Sequence, residues 1–571
     1  MIRSKHIRVL ALILCIAVLL GLAACSKSEA DPTPPAAEKT PPAESTPSSG
    51  DDKGGDDEGD NGEVDTSTVT YPLVTDSTVT FTWLYDVQAP ATTLFTDLQE
   101  DNMVWQEVRK RTGINIDFDI VTPANQAERF NLIMGSGDYP DLNKLAYLYT
   151  GGGDKAIEDG VYIRCNDLVE KYMPDYYREL VNRNLMREAV TDSGNMYGIG
   201  QINATVQLQF VGLVVNETWC NELGLELPST YEETYEVLKR FKNDKGAVGP
   251  MELHPYGFSS YLTTGFGFSS GARIAQFYNN NNGVAECGLT NPNFRTYVEL
   301  MKKWYDEGLI DPDFVSRESA GYIPNPDGPR LASGDNALFS CYYQCVLNYY
   351  KDLGLVDGDW NFAPIQNLSQ QKGVKNSIGM NINDFPTAGI CAIHTTCEDP
   401  VLAARFLNFF YTEEGELLAN YGFEGVTFEY NDKGEPELMD WLMFPDTGVT
   451  SWNMWIANLI GNGPLLYHWS RSSAEDDKLS VCDAAWGGDL PNGQYSAAMP
   501  MSLTYTPEES DVMSRLGNDI MTYVQEQIPR FIMGIRPISE WDDFVSALQD
   551  DMGLDKVTEI VNASLTRYNN R

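Results

Sequence analysis

At 571 residues, 42% of them hydrophobic, the chain is long enough for about three folding units and for large buried cores. A formal charge of −42 at pH 7 excludes a phosphate backbone as a partner and favours neutral or cationic ones. Ten cysteines without a C-x-x-C spacing match no zinc site, and four histidines, one near the start, leave little for acid–base chemistry.

In chain order, Arg3, Lys5, His6 and Arg8 come first, and an apolar run from Val9 to Leu20 follows. The run is short for a membrane span and fits the core of a signal peptide. Leu22-Ala23-Ala24-Cys25 then resembles the lipobox of bacterial lipoproteins, which implies removal of residues 1–24 and lipidation of Cys25. The alternative is an ordinary signal peptide with an incidental cysteine. Stable anchoring needs about two acyl chains, and a bacterial lipoprotein cysteine carries that many. From Ser26 to Thr70 there are twelve acids, three lysines and almost no apolar residues. Such a segment cannot bury enough surface to fold. As a flexible tether it spans roughly 35–40 Å, and about 150 Å fully stretched. Removing its −9 and the leader's +3 leaves −36 on the remainder, so the body is acidic in its own right.

Phe81-Thr82-Trp83-Leu84 opens the first predicted strand. A helix from Met103 to Arg111 stops at Gly113, and Ile114, Ile116, Phe118 and Ile120 alternate with polar residues as a half-buried strand. Pro228-Ser229-Thr230 before Glu233 is a capping-box pattern, after which Tyr231, Tyr235, Leu238 and Phe241 recur at helical spacing up to Gly246. Asn291-Pro292 starts a helix with Phe294, Tyr297, Val298, Met301 and Trp304 inward. Further helices begin at Asp399-Pro400 and at Ser539. Short apolar strands from Phe210 to Val215, Ala337 to Ser340 and Gly389 to Ile393 lie between them. Strand and helix alternating over some 500 residues predict α/β domains with largely parallel sheets.

Several segments then resemble the family 1 extracellular solute-binding proteins. Ser136-Gly137-Asp138-Tyr139-Pro140-Asp141 looks like their "SGD-x-PD", and Gly224 to Glu233 is similar to "LGL-x-x-P-x-T-x-E-E". Gly308-Leu309-Ile310-Asp311-Pro312 matches "GLIDP". Ala403 to Asn408, Glu413-Glu414-Gly415 and Tyr421 to Val426 resemble the late helix and the "NYGIEG" turn. The resemblance runs from about Val79 to Tyr568. It implies a two-lobed clamshell of the maltose-binding type, each lobe a mostly parallel sheet flanked by helices. Lobe one would be 71–202 plus 360–400 and lobe two 203–359 plus 401–571, after the linker 25–70. It also implies a carbohydrate cargo, permease subunits of an ABC importer as partners, membrane attachment through the lipid, a monomer, and no cofactor. A peptide or other solute is the rival cargo.

Sugar binding needs flat aromatic faces and planar polar groups. The chain is 11% aromatic, with 30 Tyr and 11 Trp, more than packing alone demands. Strand ends and crossovers line the cleft of such a clamshell. The candidate ligand-binding residues are therefore Trp83, Tyr85 and Asp86 after the first strand, Asp138 in the first motif, and Trp219 after the strand opening lobe two. Tyr261 and Phe266 sit in a Gly/Ser-rich loop, Tyr342 and Tyr343 at a crossover, Glu424 on the late turn, and Trp452, Trp455 and Trp469 in a Gly/Asn-rich region.

Two other chemistries leave traces. Gly267-Phe268-Ser269-Ser270-Gly271 matches the G-x-S-x-G elbow of hydrolases, with His394 and His468 downstream, but no β-branched run precedes it. A surface glycan hydrolase stays open as an alternative, and so does an adhesin. Some relatives carry a calcium loop where this chain has Lys242 to Gly249 with a single carboxylate, so no metal is carried over. Asp357 to Asn361 lacks the Gly and Glu that a calcium loop requires. The cysteines read as small buried hydrophobes; disulfides are permitted outside the cell, but spacing does not pair them.

Overall fold

The computed structural model describes residues 68–571, apart from 77, 88, 206–210, 318, 321–322, 325–327, 343–360, 375–384, 386–388, 444–450, 462, 469–475 and 488–497. Cys25, Tyr343 and Trp469 lie outside the described residues, as does most of the Asp357 to Asn361 turn.

The first strand forms as β1 (Thr80–Asp86), and both of its faces are covered: Trp83 and Tyr85 enter one apolar cluster and Leu84 another. Helix α1 (Met103–Thr112) starts where the Asn102 side-chain oxygen accepts the N–H groups of Val104 and Trp105, at 2.9 and 3.1 Å. It ends at Gly113, whose φ is +79° and where a Cβ would lie 1.9 Å from the Val74 carbonyl oxygen, so only glycine fits. β2 (Asn115–Val121) pairs parallel with β1, helix α2 (Gln126–Ser136) follows, and β3 (Leu142–Asn143) joins β1 on its other side, again parallel.

The chain then passes β4 (Ile202–Asn203) and enters β5 (Val211–Asn216), buried at every position. Helices α3 (Glu217–Leu223), α4 (Tyr231–Lys245) and α5 (Pro292–Asp306) build around it. β6 (Leu338–Tyr342) and β7 (Phe362–Ile365) pair with β5 on its two edges. After β8 (Ala392–Ile393) come α6 (Pro400–Asn408), α7 (Glu413–Tyr421), α8 (Ser451–Asn458) and β9 (Leu466–Tyr467), and finally α9 (Pro507–Ile532) and α10 (Leu554–Asn569).

The first sheet has the order β8-β3-β1-β2, with β8 antiparallel. The second, β6-β5-β7, is antiparallel throughout, so the expectation of parallel pairing holds for the first and for the β4–β9 pair but not for the second. Fully buried strands read alike in either orientation, which is why β5 carried no sign of it.

Two large cores result. One gathers residues between Phe81 and Ile202 with residues between Phe385 and Tyr467; the other gathers Val211 to Leu338, Ile365, Leu368 and Ile520 to Tyr568. This differs from the expected division in two places. β7 and Leu368 belong to the second core, because β7 fills an edge of β5. The described apolar residues between Ala403 and Tyr467 belong to the first, because α6 lays Phe406 against Phe81 and Trp83, with ring centroids at 6.2 and 6.4 Å.

Candidate functional site

β1 lies between β2 and β3, so the chain leaves β1 toward one side, returns along β2, and crosses over to the other side to reach β3. Successive connections that depart in opposite directions open a crevice at the carboxyl ends of the strands, where open α/β sheets receive ligands. The last residue of β1 is Asp86 and the first beyond β3 is Lys144.

These two meet. The Lys144 ammonium is 2.8 Å from Asp86 Oδ1 and 3.4 Å from the Asp86 carbonyl oxygen, and it stands over the Tyr85 ring, 4.5 Å from its centroid. The Lys144 side chain is 1% exposed and that of Asp86 22%, so the cation is sealed inside while the carboxylate reaches the surface. A buried ammonium is tolerated only where charge and hydrogen bonds compensate it, and the Asp86 carboxylate, its carbonyl and the Tyr85 ring face supply both.

Tyr147, three residues beyond Lys144, is 38% exposed. Its hydroxyl titrates above the ordinary tyrosine value, first through burial and then through the negative charge of Asp86; Arg273 and a hydrogen bond with Gln126 act the other way. Asp86 ends β1, Gln126 opens α2 and Tyr147 follows β3, whereas Arg273 directly precedes Ile274, which packs in the second core. The edge of β1 and β3 therefore presents an acceptor, an amide and an aromatic ring, with a guanidinium within electrostatic reach from the other half.

Behind Tyr85 is a small apolar recess lined by Trp83, Tyr85, Trp105, Phe410, Gly463 and Leu465, among others, with a cavity volume of about 10 Å³. Ligand pockets run to about 300–1,000 Å³, so the recess is packing slack rather than a sugar site.

Most of the aromatic candidates turn out to be core. Trp83 is 1% exposed and stacks on Phe118 at 5.9 Å. Tyr85 is buried edge-on to Trp83 and Phe118, and Lys144 covers its face. Trp219 lies on α3 against Phe241; Tyr261 is buried, and Phe266 packs on Tyr231 and Tyr297. Trp455 is buried on α8. These rings serve hydrophobic burial, and none offers a free face in this conformation. Asp138 is exposed just past α2, at the amino end of β3 and thus at the wrong end of the sheet. The motif's other acid, Asp141, instead ties the sheet, accepting the N–H and hydroxyl of Thr82 at 2.8 and 2.9 Å. Glu424 is exposed on its turn. Tyr342 ends β6 opposite Val211, and Trp452 stands on α8; their side chains lie outside the described atoms.

Among the described sequence candidates, Asp86 is the one brought to the carboxyl end of the first sheet with a partly exposed carboxylate. Lys144, Tyr147, Gln126 and Arg273 were missed. The readable signal was strand β3 directly after "SGD-x-PD", which would have marked Lys144 as a strand-end residue; Arg273 carries no such local mark.

The hydrolase elements do not assemble. Ser270 bonds Thr263 at 3.0 Å, and the Ser269 backbone N–H donates to Asn279 in the second core. His394 is buried in the first half, 3.2 Å from Asn143 and stacked on Tyr139, with burial pushing its pKa down to about 4. His468 pairs with Glu416. Among the described residues no group of three or more His, Cys, Asp or Glu is arranged to hold a metal, and no helix is long and apolar enough to cross a membrane. Among the described residues six cysteines are free thiols, five of them buried, and Cys341 is disulfide-bonded.

No protein-family model matches the chain. The fructooligosaccharide ABC transporter substrate-binding protein FusA of Streptococcus pneumoniae is 24% identical over 515 residues, 84% of this chain and 89% of its own. Its structure in complex with kestose covers 86% of this chain and 99% of that one, with a TM-score of 0.64 at 19% identity. A solute-binding protein of Bifidobacterium longum infantis, described as HMO binding, covers the same shares with a TM-score of 0.68 at 18% identity. The fold is thus that of the ABC-transporter solute-binding proteins. The sequence is thus similar to that of an ABC-transporter substrate-binding protein over most of both chains, and the fold is shared with solved solute-binding proteins.

Proposed function

We propose that this chain is the substrate-binding lipoprotein of an ABC importer. Anchored at the outer face of the cell membrane through Cys25 and the acidic tether, it takes an oligosaccharide between its two halves and presents it to permease subunits. The observation that carries the reading is the charge-compensated Asp86 beside exposed Tyr147 at the switch point of the first sheet. An aspartate accepts two sugar hydroxyls, a tyrosine ring covers an apolar sugar face, and Gln126 and Arg273 add donors. The relatives' ligands point the same way: FusA is described in complex with kestose and the Bifidobacterium protein as HMO binding. The charge of −42 favours neutral glycans over polyanionic ones.

Mass spectrometry of small molecules released from the purified protein, followed by calorimetry, tests this. A neutral oligosaccharide should be recovered and should rebind near micromolar affinity, about 8 kcal/mol. Recovery of a peptide instead would replace the carbohydrate reading. Cys25→Ser should move the protein from the membrane to the medium; unchanged membrane retention would remove the lipid anchor from the proposal.

A further inference from the structure

Lys144 belongs to neither the aromatic nor the acidic inventory of a sugar site, yet it is a deeply buried cation at the carboxyl end of the first sheet. Its side chain is 1% exposed, so it has no surface to offer a ligand. Three of its contacts converge on the end of β1: the Asp86 carboxylate at 2.8 Å, the Asp86 carbonyl at 3.4 Å and the Tyr85 ring at 4.5 Å. Its own backbone N–H donates to Leu84 at 3.1 Å, which ties it to the same strand. We infer that Lys144 is a positioning residue that clamps the β1 terminus and holds the Asp86 carboxylate in one rotamer, aimed at the hydroxyls of the bound oligosaccharide. This rests on the proposed sugar-binding function.

The physical need is specific. An aspartate at a strand end has two soft side-chain torsions, and an acceptor that wanders loses entropy on binding. The Asp86 side chain is 22% exposed while its ammonium partner is 1% exposed, so the carboxylate keeps a surface to which sugar hydroxyls can donate. The same ammonium offsets the carboxylate's charge in a strongly acidic chain, so the acceptor is kept without adding to the net negative field. Lys144 would thus act through Asp86 and touch no sugar itself.

The experiment is a double-mutant cycle on the full chain, read by calorimetry with kestose, maltotriose, xylotriose and cellotriose, carrying forward the tightest binder. Asp86→Asn and Lys144→Met should each weaken binding at least tenfold, and the double variant should be no more than about threefold worse than either. Lys144→Arg, which restores the cation, should recover most of the loss. Thermal melts of each variant separate folding from binding, since Lys144→Arg and Asp86→Asn need only remain folded at the assay temperature. Undiminished binding by Lys144→Met, or losses that multiply in the double variant, would overturn the inference while leaving the sugar-binding reading intact. If the wild-type chain binds none of the four, the oligosaccharide reading fails first and the inference falls with it.

Discussion

Asp311 shows what one residue of a family motif does here. It is fully buried, accepts Arg317 Nε at 2.6 Å and the Asp313 N–H at 3.0 Å, and has Arg330 Nε 3.5 Å away. The "GLIDP" segment is therefore a fold-holding ion cluster rather than a ligand contact. Asp311→Asn should cost about 3–5 kcal/mol in chemical denaturation, because it strands buried guanidinium charge. Glu233 is a second case. Burial raises its pKa, but the N–H and hydroxyl of Ser229 and the Lys372 ammonium outweigh that and hold it at about 2, against an ordinary 4.5. A lowered folded-state value means stabilisation that is complete above pH 4.5 and disappears as pH falls toward 2. Denaturation at pH 6 and pH 3 should show this extra pH dependence in the wild type and its loss in Glu233→Gln. The pair is partly exposed and screened, so the effect is about 1 kcal/mol or less.

Helix α4 illustrates the element scale. Its start was legible as a capping box, and Thr230 does accept the Glu233 N–H at 3.1 Å. The return arm is shifted by one residue: Glu233 reaches Ser229 rather than the cap itself. That displacement lets the same carboxylate hold Lys372 after β7, joining two segments far apart in sequence. Thr230→Ala should destabilise by about 1 kcal/mol, measured from the denaturant midpoint. Gly113→Ala should cost more than about 1 kcal/mol, since φ +79° and the Val74 carbonyl both forbid a side chain there. Helix positions, caps and the alternation of β2 were readable because they depend on neighbours within a few residues. The antiparallel order around β5 was not, because strand partners more than a hundred residues away determine it.

On the scale of the whole molecule, the C-terminal helix ties the halves together. Arg567 on α10 reaches Asp192 at 2.5 Å and Glu509 at 2.5 Å; Arg571 adds Asp192 at 2.6 Å and the Val190 carbonyl at 2.7 Å. Tyr568 meets Glu188, and Arg187 stands over its ring. Leu565 and Tyr568 pack in the second core and Ala189 in the first, so this network bridges the two. The Arg571 side chain is only 3% exposed, which lifts the network out of the class of weak surface pairs. Asp192→Asn should lower stability by about 3–5 kcal/mol and split thermal unfolding into two calorimetric transitions, one per core. A single unshifted transition would show that the cores are coupled elsewhere.

The linear order of residues determined the α/β class, the helix starts at Met103, Tyr231, Pro292 and Pro400, and the resemblance to solute-binding proteins. These follow from composition and short-range periodicity, which a chain expresses locally. Only tertiary packing decided that Trp83, Trp219 and Phe266 are core, that Asp86 meets Lys144, and which core receives the described apolar residues between Ala403 and Tyr467. An aromatic side chain has the same appetite for a sugar face as for another ring, and what lies opposite it is settled by strand order and by contacts across hundreds of residues.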